Sequence, residues 1–138
     1  MVRIIIIAYV TTLVVFAALD FFWLTQVGPS LYPPVIGAIL APEPRMGAAI
    51  TFYLLYLAGL VYFAVLPGVV GAGWRGALLK GALFGFFAYA TYDLTNQATL
   101  IVWSSKITLL DMAWGTFVSG ASAAGGCRIT RFFAKVPA

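Results

Sequence analysis

The stretch IIIIAYVTTLVVFAALDFFWLT, Ile4–Thr25, decides the fold class. Its only charged residue is Asp20, and its apolar positions do not alternate with polar ones. A helix rising 1.5 Å per residue needs about twenty apolar residues to cross roughly 30 Å of hydrocarbon. Lipid offers the backbone no hydrogen bonds, so only helices or closed barrels cross it. An unbroken run of this length selects the helix. Three further segments have the same character: Gly47–Leu66, Gly76–Thr99 and Ile107–Cys127. The expectation is an all-α membrane protein, a four-transmembrane-helix bundle forming a single integral domain over residues 1–138. The opening Met-Val-Arg before Ile4 superficially resembles a signal peptide, but the apolar run lasts about twenty residues without a small-x-small cleavage pattern. It reads as an uncleaved first span.

Composition agrees with this reading. Of 138 residues, 63% are hydrophobic and 9% charged, with a mean hydropathy of +1.03. An ordinary soluble domain is about 25% charged. The net charge of +4 does not point to nucleic acid, because the basic residues flank apolar runs instead of forming a stripe among aromatics. Arg3, Arg75, Lys80, Arg128, Arg131 and Lys135 fall on one side of a four-span topology, and Arg45 and Lys106 on the other. Positive charge concentrates on the cytoplasmic side, so both termini are expected there. With no histidine and one cysteine, the chain has no internal disulfide and lacks the usual metal-ligand sets. No metal site is assigned and no cofactor is expected. Cys127 reads as a small packing residue.

The connections differ in kind. Gly68 to Trp74 predicts a tight glycine-rich turn after Pro67. Val27 to Met46 is a longer outer loop carrying Pro29, Pro33, Pro34, Pro42 and Pro44. Its apolar patch Val35–Leu40 is too short to cross a bilayer and predicts a short helical piece at the interface, either a lid or a rigid connector. Gly81, Gly85 and Ala88 in the third span, and Gly115, Ser119 and Ala123 in the fourth, are spaced to let helix backbones approach closely.

Function is sought in three isolated acids. A carboxylate at the centre of a spanning helix costs roughly 2.5–3.5 kcal/mol on insertion scales, so such groups face the interior or a wet cavity. Asp20, Asp93 and Asp111 lie roughly 6–9 Å below the outer ends of their spans by helix rise. Tyr89, Asp93 and Asn96 share one helical stripe. Tyr53 and Tyr56 occupy the outer half of the second span beside Phe52, and Tyr92 adjoins Asp93. Trp23 and Trp114 each follow an aspartate by three residues, placing an indole donor one turn away. The candidate ligand-binding set is therefore Asp20, Trp23, Tyr53, Tyr56, Tyr89, Tyr92, Asp93, Asn96, Asp111 and Trp114. Lys106 is the candidate cationic partner for the acids, and Asp111 is expected near the electropositive start of its helix.

The runs Leu19-Asp20-Phe21-Phe22-Trp23-Leu24, Phe52-Tyr53-Leu54-Leu55-Tyr56, Tyr89-Ala90-Thr91-Tyr92-Asp93-Leu94-Thr95-Asn96 and Trp114-Gly115-Thr116 resemble the bacterial membrane family called domain of unknown function 2177. The resemblance spans nearly the whole chain. It implies a small bacterial inner-membrane protein and supplies no activity.

Three functions compete on these residues. One is an outer-leaflet acidic and aromatic pocket that binds or transports a lipid headgroup, an amphipathic cation or a proton. Another is a membrane-embedded lipid-modifying enzyme using separated carboxylates. No activated nucleophile supports it, since Ser104, Ser105 and Ser119 lack a histidine. The third is a structural accessory subunit whose acids bond between helices. Membrane lipids are the expected partners, with a homo-oligomer or larger membrane complex left open.

Overall fold

The computed structural model describes residues 1–136, and every regular element among them is helical. Helix α1 (Val2–Phe22) continues through a wide π-type turn, Trp23–Val27, into the short α2 (Gly28–Leu31) and α3 (Pro33–Ile36), followed by a single 3₁₀ turn at Gly37–Ile39. Helix α4 (Met46–Leu60) runs on through π turns at Val61–Val65 and Gly68–Ala72. Helix α5 covers Gly73–Thr99 and α6 covers Ser105–Ala134.

Prolines explain two of the π turns. A proline ring inside a helix clashes with the carbonyl four residues earlier and leaves it without a donor. For Pro29 that carbonyl belongs to Thr25, inside Trp23–Val27, and for Pro67 to Phe63, inside Val61–Val65. Widening one turn absorbs the extra bulk while the helix continues.

Two stretches are long and apolar enough to cross a membrane, Val2–Leu31 and Met46–Thr99. The second has 54 residues, about 80 Å if straight, and it reverses direction at Gly73. Gly73 has φ +66°, a left-handed conformation that glycine adopts without strain. Gly59 then faces Phe84 and Gly68 faces Ala77 across the antiparallel pair. The expected turn at Gly68–Trp74 is thus narrower than its glycines suggest. Gly68–Ala72 stays helical, its backbone groups bonded within the coil, with Gly68 and Val69 buried. The helices also outrun the expected spans at several ends, with α6 reaching Ala134 in place of Cys127.

Helix α6 carries Lys106, Asp111, Arg128 and Arg131 and is not one of the two most apolar stretches. It is nevertheless the structural centre, with both α5 and α1 packed on it. Its neighbours shield it, so it tolerates Ser119, Ser122 and Thr130 in fully buried positions. The main core joins Phe16, Leu57, Leu60, Val65, Val69, Val118 and Cys127. A smaller cluster seats Leu31 and Ile36 of the short helices on Ile107 at the start of α6.

The α5/α6 contact is a ladder with four-residue steps. A Cβ added at Gly81 would meet Ala123 and Ser119 at 2.6 and 2.7 Å. One at Gly85 would meet the Gly115 carbonyl at 2.1 Å and the Ser119 side chain at 2.5 Å. On the next rung the Tyr89 ring covers Gly115. The rung after that brings Asp93 against Asp111. The small-residue stripes in the sequence are therefore used within the chain.

Candidate functional site

The ladder's last rung places two carboxyl groups together inside the protein. Asp93 is fully buried, and neither of its oxygens has a hydrogen-bond partner. Asp111, 4% exposed, stands against it across the helix interface, near enough for the two carboxyl groups to interact electrostatically. Asp111 sits seven residues into α6, beyond the first turn, so the helix terminus does not stabilise its charge. Ser104 takes the capping role, its hydroxyl accepting from the Ile107 amide at 3.3 Å.

Asp111 Oδ1 instead accepts a hydrogen bond from the Tyr32 phenol. Tyr32 oxygen in turn accepts from Trp23 Nε1 at 3.0 Å. The Trp23 ring stacks on Trp114, with centroids 4.6 Å apart and planes within 10°. A relay of donors thus runs from the π turn after α1 through the proline-rich segment to α6. Burial, reinforced by the Asp111 acceptor, pushes the Tyr32 phenol above its ordinary range, so it remains a donor at any physiological pH.

Asp20 occupies the neighbouring corner. It is 8% exposed, and its Oδ2 accepts from the Tyr53 phenol. Tyr53 is held edge-on against Phe16, with centroids 6.0 Å apart. Tyr56 bonds Ser119 at 2.7 Å and stands nearly perpendicular to Tyr89, 6.4 Å between centroids. Tyr92 is 54% exposed, with its ring edge-on to Trp103. A cavity of about 340 Å³ opens here, lined by Phe52, Tyr56, Ala88, Tyr89, Tyr92 and Asp111. Ligand pockets for small molecules begin near this size, at roughly 300 Å³.

Several sequence-based pairings are corrected by this geometry. Trp23 does not bond Asp20; its N–H goes to Tyr32. Trp114 Nε1 is buried without a partner. Asn96 is half-buried, and neither it nor Asp20, Trp23, Tyr53, Asp93 or Trp114 lines either cavity near the acids. Lys106 is exposed, and no ion pair links it to an acid among the described residues. A lysine stem at the water boundary is better solvated outward than buried beside a carboxylate. Ser105 accepts from Gln97 at 3.0 Å. Among the described residues no group of three metal-ligating side chains converges.

Tyr32 is the residue that sequence reasoning missed. It lies between Leu31 and Pro33 in a segment read as connector, with no helical stripe to assign it a face. The available signal was its isolation: it is the only aromatic residue between Trp23 and Phe52. Ala88 was read only as a packing residue, yet it forms part of the cavity wall.

No curated protein and no solved structure matches this chain. The family described as "Predicted membrane protein (DUF2177)" matches residues 5–128, and the chain belongs to that family.

Proposed function

We propose that the chain crosses a bacterial inner membrane four times with both termini cytoplasmic, and that its outer-leaflet chamber holds the cationic head of an amphipathic molecule. The six-to-two division of basic residues supports that orientation. Twenty-seven residues in α5 and thirty in α6 give lengths of about 40 and 45 Å, ample for a bilayer.

The observation that carries the reading is Asp93. A fully buried carboxyl with no partner, set against a second carboxyl, leaves negative charge uncompensated in a dry site. A cation or a proton there restores neutrality. The Tyr56, Tyr89 and Tyr92 rings that line the cavity with Asp111 favour an organic cation, which aromatic rings attract when water is excluded. Phe52 and Tyr92 in its wall are 48% and 54% exposed, and rings so exposed on a spanning helix meet lipid in a membrane. A molecule with its amine in the chamber and its chain in the bilayer fits both features.

The test is thermal unfolding of purified protein with an ethanolamine-headgroup lipid, a single-chain alkylamine, and an alkyl alcohol of equal length. Near-saturating amine is expected to raise the unfolding temperature by about 5 °C, and the alcohol not at all. The lipid and alkylamine arms separate a headgroup site from a site for free amphipathic cations. Asp93→Asn should keep its folded yield and lose the shift. A flat response to every amine would remove this reading.

A further inference from the structure

A second cavity of about 430 Å³ lies on the other side of Asp111, beneath the short helices, with walls that include Leu24, Tyr32, Ile36 and Leu40. Two residues line both cavities, Tyr92 and Asp111. Asp111 is therefore shared by two spaces, and the Tyr32 phenol bonded to its carboxyl lines the second of them. We propose that Asp111 serves two successive subsites for one cationic head, an outer vestibule and the inner chamber, with Tyr32 as the gate between them.

The proposal rests on the cation reading of the chamber, and the local construction supports it. The vestibule wall is built on helices of four residues each. Pro29, Pro33 and Pro34 contribute no amide donors there, so backbone hydrogen bonding holds this segment weakly. Side chains hold it instead: Leu31 and Ile36 on Ile107, and Tyr32 on Trp23 and Asp111. Breaking one phenol–carboxyl bond frees the ring without disturbing the long helices. An arriving ammonium group supplies the donors that Asp111 gives up when Tyr32 swings away. Asp93, fully buried and unpartnered against Asp111, adds a second carboxyl beside the inner subsite.

The experiment needs no ligand and so separates this proposal from its foundation. In a Cys127→Ala background, Ala88→Cys places a thiol in the chamber wall and Glu43→Cys places one on the exposed loop. Protein in lipid nanodiscs is treated with a charged maleimide that lipid excludes. Ala88→Cys is expected to react far more slowly than Glu43→Cys, and Tyr32→Phe to speed it about tenfold, as expected for losing a hydrogen bond to a charged group. Trp23→Phe, which removes the donor steadying Tyr32 while keeping an aromatic ring beside Trp114, should give a smaller increase in the same direction. An unchanged rate in both variants overturns the gate. So does a parent Ala88→Cys that reacts as fast as the loop thiol. A raised rate together with a failed amine screen would keep the passage and discard the cation as its cargo.

Discussion

The two ends of the α5/α6 pair are built by opposite means. At one end Gly81, Gly85 and Gly115 bring backbone against backbone, leaving no room for a single added methyl group. At the other, Tyr89 and Tyr92 line a cavity and two carboxyl groups face each other. The same four-residue step generates both, because Gly81, Gly85, Tyr89 and Asp93 lie on one face of α5. Close packing at the glycine end fixes the register of the helices. That register then places Asp93 on Asp111, against the electrostatics of the pair. Stability is concentrated at one end and chemical potential at the other.

Substitutions can break this division, and the largest effect belongs to the packed end. Gly85→Leu forces atoms into a carbonyl only 2.1 Å from the first added carbon. It should cost about 3 kcal/mol or more, seen as loss of monodisperse protein or a collapse of the unfolding temperature. Ala88→Leu, pointing into the cavity three residues on, should cost under about 1 kcal/mol. Equal costs would show that the two ends do not differ in packing. Next in size is Tyr53→Phe, which strips the donor from Asp20. A loss of about 2 kcal/mol in thermal or denaturant unfolding is expected. If stability is untouched, the Asp20–Tyr53 bond does not hold α1 to α4.

Asp93→Asn sharpens the contrast by reversing the sign. Its amide can donate to Asp111 while removing an unpartnered charge, so stability should rise by about 1 kcal/mol as amine binding disappears. Destabilisation instead would mean that the carboxylate itself supports the fold. The smallest effect is expected at Lys106→Gln. This exposed side chain has no acid partner among the described residues, and its loss should stay within about 0.5 kcal/mol in the same assay.

The site was partly readable before any coordinates. Helical spacing alone put Tyr89 and Asp93 on one stripe, and the lipid-like surroundings of Asp20, Asp93 and Asp111 marked them as interior groups. Their individual partners were not readable. Trp23 follows Asp20 by three residues, yet its N–H reaches Tyr32, because the π turn at Trp23–Val27 redirects the chain beyond it. Lys106 stands five residues before Asp111 and turns outward all the same. Proximity along the chain says which groups can meet, while rotamer and helix ends decide which do.

The sequence by itself determined the all-helical class, the membrane setting and the small-residue faces. These follow from local quantities: run length, the need to satisfy backbone groups without water, and residue size at a four-residue interval. Only the tertiary structure decided how far one stripe slides along the other, and so which side chains stand opposite Asp111. It also decided that Tyr32, from a segment without periodicity, bonds Asp111 and lines the second cavity. Register and loop docking depend on contacts between residues as far apart as Tyr32 and Asp111, and no local pattern encodes which of several similar rungs will pack best.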